Sequence, residues 1–387
     1  MKVAVLGSGL MGSEIAIDLA SVQYIDEIVV VDNNNSRLQL LEKRANERLG
    51  PSSKKLLYYS LNIVNDRKVL LDLLRDSDVS VGALPHSVAE YGVRAAMAAE
   101  VSYVDLIYSW RMRDDIETLD KDASNKGITI IPACGLAPGL SNIIAKRAVE
   151  EVGGEAEDLT IYVGGIPQLP EPPLEYRVVF SAESVLEEYT REALVVRDGR
   201  QVSIPALSDV EVISFESLPD MKFEAFITDG LSTLTSMVKA KNMAEKTIRW
   251  PGHAEKIKLL YELGLLSDQG VQLDSQTIVV PRKLLEKIFT LKLSMEDGDR
   301  DMTLMKVNVR SYTNSCTYEL IDRFDVTTRT TSMARTTGYP CSVVVQFLLE
   351  RKLVETGLLP PEVAIQGSLF SEFLERLRSK GIKVLKV

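Results

Sequence analysis

The chain has 387 residues, 45% of them apolar and 26% charged, with a formal net charge of −10. That length is more than one small core organises and predicts two domains. The acidic balance, with no basic stretch standing out, excludes a nucleic-acid partner, and no apolar run reaches the roughly eighteen residues that a membrane span needs. Lys2 leads straight into a short strand, so neither a signal peptide nor export is expected and the protein reads as cytoplasmic. The cysteines, Cys134, Cys316 and Cys341, are far apart and form no CxxC pair, and His86 and His253 are the only histidines. No disulfide framework and no metal site are therefore expected.

The first stretch, Lys2-Val-Ala-Val-Leu-Gly7-Ser8-Gly9-Leu10-Met11-Gly12, reads as a strand, a Gly-x-Gly-x-x-Gly turn and the start of a helix continuing to Ala20. Gly7 permits the tight turn, Gly9 lets the backbone approach a pyrophosphate, and Gly12 lets the helix pack against the strand. A second apolar strand, Glu27 to Val31, ends in Asp32, followed by Asn33, at the spacing where this fingerprint places an acid for the adenosine ribose. A carboxylate there repels a 2′-phosphate and favours NAD, while Arg37 keeps NADP open.

A polar helix follows over Asn35 to Leu49, then strand three at Leu56 to Ser60, a helix over Asp66 to Leu74 and strand four at Asp78 to Ala83. A helix over Val88 to Ala99, strand five at Ser102 to Leu106, a helix over Asp115 to Asn125 and strand six at Gly127 to Pro132 complete the half. Alternating strands and helices predict a doubly wound α/β Rossmann domain over residues 1–133. In such sheets ligands lie beyond the carboxyl ends of the strands, which adds Asn62 and Ile63, Ala83 and Leu84, Asp105 and Cys134 to the candidate cofactor cleft. His86 reads as an incidental loop residue.

Past Pro132, Gly135 to Gly139 is a turn, and a helix over Asn142 to Val152 follows. β-rich runs then dominate: Asp158 to Val163, Tyr176 to Ser181, Ala193 to Arg197, Glu211 to Phe215, Lys222 to Thr228, Glu245 to Trp250, Met302 to Tyr312 and Thr317 to Phe324. Asp198-Gly199 is a hairpin dipeptide. Strands in succession predict a second α+β domain with a mainly antiparallel sheet over 134–331. Residues 332–387 read as a helical tail, Met333 to Glu350, Pro361 to Ala364 and Ser371 to Lys380, with a last strand over Ile382 to Leu385, packing back on the first domain.

Several blocks resemble the saccharopine dehydrogenase superfamily, and within it most of all the L-lysine 6-dehydrogenases. They are Gly7-Ser-Gly-Leu-Met-Gly12, Gly135-Leu-Ala-Pro-Gly-Leu-Ser-Asn142, Tyr162-Val-Gly-Gly-Ile-Pro167 with Pro172-Pro-Leu-Glu-Tyr176, Arg249-Trp-Pro-Gly-His-Ala-Glu-Lys256, Met333-Ala-Arg-Thr-Thr-Gly338 and Pro360-Pro-Glu362. The resemblance implies a nicotinamide-dependent oxidoreductase acting on the side-chain amine of an amino acid, built as a homodimer. Ala137 before Pro138, where similar saccharopine reductases have Asp, points to the lysine dehydrogenases. The expected reaction is NAD-dependent deamination of L-lysine at its ε-amine to 2-aminoadipate 6-semialdehyde and ammonia. The alternatives are a saccharopine or carboxynorspermidine-type reductase and, in another class, a non-catalytic NAD-binding sensor.

Oxidation at the ε-carbon requires a neutral amine, and the resulting imine must be attacked by water, so one proton acceptor tuned near the working pH serves both steps. Asp105, at the end of strand five, is the first candidate, with a helix cap or ribose contact as its other reading. His253 is the second, since imidazole titrates in the required range, unless it only packs at a helix start. Arg249, Lys256 and Arg177 are candidate partners for the substrate carboxylate. Tyr176 and Ser181 are candidate hydrogen-bonding residues, although strand alternation places them on opposite faces. Cys134 reads as a buried small residue.

Overall fold

The computed structural model describes residues 1–107, 116–179, 181–296 and 298–387. In chain order its elements begin with β1 (Lys2–Leu6), α1 (Leu10–Ala20), β2 (Glu27–Asp32), α2 (Asn35–Leu49), β3 (Leu56–Ser60), α3 (Arg67–Arg75), β4 (Val79–Gly82), α4 (His86–Ala99), β5 (Ser102–Asp105), α5 (Ile116–Asn125), β6 (Thr129–Ile131) and α6 (Leu140–Glu151). They continue with β7 (Glu155–Pro167), α7 (Ala182–Thr190), β8 (Ala193–Arg197), β9 (Arg200–Ile204), β10 (Glu211–Phe215), β11 (Leu218–Thr228), α8 (Leu234–Met237), β12 (Lys239–Arg249), α9 (His253–Glu262), β13 (Val271–Gln272), β14 (Ile278–Val279) and α10 (Pro281–Lys292). Last come β15 (Asp301–Arg310), β16 (Ser315–Arg323), α11 (Ser332–Leu349), β17 (Gly357–Leu358), α12 (Pro361–Ala364), α13 (Ser368–Ser379) and β18 (Val384–Lys386).

Two compact units emerge, one of Met1–Ile143 with Ala334–Ile382, the other of Ile144–Met333 with Lys383–Val387. The first carries a parallel sheet in the order β17-β6-β5-β4-β1-β2-β3. Strand order reverses at β1, between β4 and β2, which is where a doubly wound sheet opens a ligand crevice. Apolar runs such as Ile28–Val31 are buried on both faces, as parallel strands under helices must be. β17, a two-residue strand from the tail, extends the edge beside β6.

The second unit carries a nine-stranded sheet whose main path is β10-β11-β12-β7-β15-β16-β18. Its pairs are antiparallel except β12 with β7, which run parallel and place Thr247 beside Val163. β18 lies in this sheet, paired to β16, so the last residues join the second unit rather than the first.

Of the expected strand Tyr176 to Ser181, the described residues form no strand, and Phe180 lies outside them. Residues 172–175 turn, Glu175 holds a positive φ of 51°, and the segment's pairing is an isolated bridge between Val178 and Ser294. Ser181 then caps α7, its hydroxyl accepting from the Ser184 amide. Apolar residues at 182, 185, 186 and 189 give that helix one buried face, which packs with Leu174, Tyr176, Ala254, Ile257, Leu285 and Phe289.

α11 begins under a carboxylate from another element. Asp301, the first residue of β15, is fully buried and accepts from the amides of Ser332 at 2.7 Å and Met333 at 2.8 Å. Replacing it by Ala leaves those helix-start donors unsatisfied, so Asp301→Ala is expected to lower unfolding stability by about 2 kcal/mol, read as a fall in the urea midpoint.

Candidate functional site

In the first unit the glycine turn divides its labour as backbone sterics require. Gly7 has φ of 103°, a conformation that side chains resist, and a Cβ on it would lie 2.3 Å from the Ala83 carbonyl oxygen. A Cβ on Gly12 would lie 2.0 Å from the Gly7 carbonyl oxygen and 3.0 Å from the Ala83 Cβ. Gly9 meets nothing within 4 Å. It stands at the N-cap of α1 with no side-chain cap, and the first intrahelical bond is Ser13 N to Gly9 O at 2.9 Å. The amides of Leu10, Met11 and Gly12 thus have no intrahelical acceptor, and open space lies beside them, the arrangement a pyrophosphate fits.

Asp32 is buried at the end of β2. Its Oδ2 accepts from the Ser8 amide at 2.7 Å and the Ser8 hydroxyl at 2.9 Å, and its Oδ1 from the Asn34 amide at 2.8 Å. The acid therefore ties β2 to the glycine turn, while Asn33 beside it and Arg37 on the first turn of α2 are exposed. Asn62 closes its own loop, accepting from the amides of Val64 and Asn65 and donating its amide to Asp66. Ile63 and Leu84 pack partly buried against the sheet's apolar core, and the Ala83 amide donates to Leu6 O at 2.8 Å.

Asp105 is 1% exposed. Burial pushes its carboxyl up to about 8, against the pull of the Ile107 and Leu106 amides. Oδ1 accepts from the Ile107 amide at 3.1 Å, whereas Oδ2 and the nearby Tyr103 hydroxyl have no hydrogen-bond partners among the described residues. Both side chains lie against Gly82, where a Cβ would sit 1.9 Å from the Tyr103 hydroxyl. Cys134 is buried, and its amide donates to the Asp105 carbonyl at 2.7 Å. His86 opens α4.

In the second unit the structure brings Arg249, Tyr176 and His253 together and adds Glu188 and Tyr189 from α7. Arg249 is 2% exposed, with its guanidinium 4.6 Å from the centre of the Tyr176 ring. It donates through Nε to the Tyr189 hydroxyl at 3.2 Å, through Nη1 to Ile248 O at 2.9 Å and through Nη2 to Glu188 Oε2 at 3.2 Å. The Tyr176 hydroxyl is buried, with no hydrogen-bond partner of good geometry among the described residues.

His253 ring nitrogens lie 2.9 Å from the Tyr189 hydroxyl and 2.8 Å from Leu174 O. A carbonyl only accepts, so Nδ1 carries the proton, Nε2 accepts from Tyr189, and the tyrosine oxygen accepts from Arg249. Burial, then the Arg249 charge, lowers this imidazole to about 3. The expectation that it titrates near neutrality is thereby corrected.

Lys256 is partly exposed and paired with Glu175. Arg177 bonds Glu171 at 2.8 Å. Ser181 is occupied as the cap of α7. Glu188 and Tyr189 were hidden from the sequence reading because their helix follows a β-rich run. The spacing of Ala182, Val185, Leu186 and Tyr189 was the signal that reveals it.

Two outcomes follow. Gly9→Ala is expected to leave the melting temperature unchanged and weaken dinucleotide binding, whereas Gly12→Ala overpacks the turn and costs about 1–3 kcal/mol; thermal melts and fluorescence titration separate them. His253, with a lowered pKa, gives a stability contribution that is whole above its ordinary 6.5 and is lost as pH falls towards about 3. Its ring ¹⁵N shifts should report the neutral Nδ1–H tautomer at pH 5.

Comparison with known proteins comes out consistently. Residues 3–131 match the family profile described as saccharopine dehydrogenase NADP binding domain, and residues 135–382 match saccharopine dehydrogenase C-terminal domain. Among curated relatives, the Bos taurus mitochondrial alpha-aminoadipic semialdehyde synthase is 22% identical over 98% of this chain and 47% of its own length. The Saccharomyces cerevisiae saccharopine dehydrogenase [NADP(+), L-glutamate-forming] is 25% identical over 76% of this chain and 65% of its own. The chain thus spans about half of the first relative and somewhat under two thirds of the second. A Vibrio cholerae carboxynorspermidine synthase is 22% identical over 78% of this chain and 76% of its own. The apo structure of the yeast saccharopine dehydrogenase superposes with a TM-score of 0.77 at 22% identity, covering 100% of this chain and 99% of that one.

Proposed function

The chain belongs to the saccharopine dehydrogenase family of oxidoreductases, and from that premise we propose that it oxidises the side-chain amine of an amino acid, L-lysine, with NAD. The observation that carries the reading is Asp105. It is a buried carboxyl with an oxygen unpartnered among the described residues, pushed up to about 8, at the carboxyl end of the strand two places from the dinucleotide turn.

The residues of the first unit hold the dinucleotide: the α1 amides take the pyrophosphate, and the Asp32 carboxylate stands where a 2′-phosphate would be repelled. When bound, the dinucleotide supplies the acceptor for the hydride leaving the substrate carbon. Asp105 takes the proton of the substrate ammonium, since only the neutral amine can release hydride from its carbon. Once that proton has passed to solvent, Asp105 takes a proton from the water that attacks the imine carbon and returns it to the nitrogen of the carbinolamine, so that ammonia leaves. In the second unit Arg249, with Tyr176 beside it, is the group suited to an amino-acid carboxylate. His253 acts on Arg249 through Tyr189 and is a positioning residue; Lys256, held by Glu175, lies at the margin.

The reading of lysine rather than saccharopine rests on Ala137 before Pro138, where similar saccharopine reductases have Asp.

As a base, Asp105 must be ionised, so kcat for amine oxidation at saturating substrate should climb about tenfold per pH unit below pH 8 and level above it. Asp105→Asn is expected to abolish that limb and to lower kcat by about 100-fold or more with dinucleotide Kd unchanged; near-normal turnover would remove it from the mechanism. Asp32→Ala should shift the ratio of NAD to NADP affinities towards NADP in a fluorescence titration.

A further inference from the structure

Glu245, Thr247 and Arg249 alternate along β12 and therefore share one face of the sheet. α7 lays Glu188 across that face, where it accepts from the Thr247 hydroxyl and from Arg249. At the other end Asp229, just past β11, accepts from the Leu194 amide at 3.3 Å and pairs with Arg191 at 3.1 Å, and Arg191 lies 3.7 Å from Glu187 as well. Glu245 sits between these two groups. It is 5% exposed, its Oε2 has no hydrogen-bond partner among the described residues, and it presses on Gly230, where a Cβ would lie 1.7 Å from Oε1.

Four carboxyls, Glu187, Glu188, Asp229 and Glu245, stand around this face with two guanidiniums, Arg191 and Arg249, both already engaged. A buried carboxyl oxygen without a donor is costly, and Glu245 Oε2 has none among the described residues. We propose that a substrate ammonium supplies that donor: Glu245, with Glu188, binds the non-reacting α-ammonium of the amino acid whose carboxylate Arg249 holds. This rests on the amino-acid reading above and adds the group that distinguishes an amino acid from a simple amine or carboxylic acid. Without ligand, a proton fills the gap, because burial and then the Asp229 and Glu188 charges push the Glu245 carboxyl up to about 8. An ammonium, with three donors, replaces that proton and satisfies the orphaned oxygen. Gly230 and the Asp229–Arg191 pair close the row behind Glu245, leaving Glu188, the most exposed of its acids, on the approach side.

The test compares L-lysine with 6-aminohexanoate, which lacks the α-ammonium, in wild type and Glu245→Gln, by steady-state kinetics and by calorimetry at pH 7 in buffers of different ionisation enthalpy. Gln copies the protonated acid in shape, so folding, checked by melting, should be retained. The expected result is a KM for lysine raised about thirtyfold or more, little change with 6-aminohexanoate, and about one proton released on lysine binding by wild type but none by the variant. An unchanged KM for lysine, equal losses for both compounds, or no proton release overturns the subsite. If wild type binds lysine with proton release yet never oxidises it, the reaction assignment falls and the subsite stands. If it turns lysine over without proton release, the reverse holds. No binding at all overturns both.

Discussion

A guanidinium cannot shed its proton, so burying one obliges the surrounding chain to bring acceptors to it. Arg249 imposes that requirement on the second unit. Its partners come from α7 and from its own strand, and the rings of Tyr176 and Tyr189 cover it. Behind Tyr189 stands His253, whose proton is fixed in turn by Leu174 O. A helix start, a turn and a second helix are thus positioned by one cation, and the direction of each hydrogen bond follows from the two ends of the chain. Arginine only donates and the carbonyl only accepts, leaving the tyrosine and the imidazole no choice.

The first unit offers backbone amides without intrahelical acceptors at the start of α1, the donors a pyrophosphate would take. Glycine is needed at positions 7 and 12 because backbone and Cβ atoms of neighbouring segments fill the space a side chain would take. Asp32 makes the turn dependent on β2, since the same carboxylate binds the Ser8 amide and hydroxyl. One buried acid thereby holds the glycine turn in place against the second strand.

The parallel half was legible because each of its strands is a short apolar run separated by a helix, and the register of the glycine turn and Asp32 is local. The seventh strand, Gly357–Leu358, was not, because two residues carry no periodicity and their pairing with β6 is set by the tail's packing. In the second half Tyr176 to Ser181 has the β-rich composition of a strand but lies between a Pro172-Pro173 turn and a helix cap, and tertiary context overrode propensity. The cost of that misreading was Glu188 and Tyr189, two of the residues that surround Arg249. Glu245 was visible only as a strand residue; its isolation among acids depends on Asp229, Arg191 and Gly230, which no local pattern connects to it.

Asp105 and Glu245 are both pushed to about 8, and burial is the leading cause in each. What opposes or assists burial differs, and that difference separates their chemistry. Around Asp105 the amides of Ile107 and Leu106 favour the ionised form, so losing the proton is partly compensated and the group can cycle between states. Around Glu245 the Asp229 and Glu188 charges act with burial against ionisation, and only Arg191 counters them. A carboxyl in the first setting suits proton transfer; one in the second keeps its proton until a cation replaces it. Two acids with one apparent pKa are therefore suited to opposite tasks, the first to exchange a proton during reaction and the second to recognise positive charge before it.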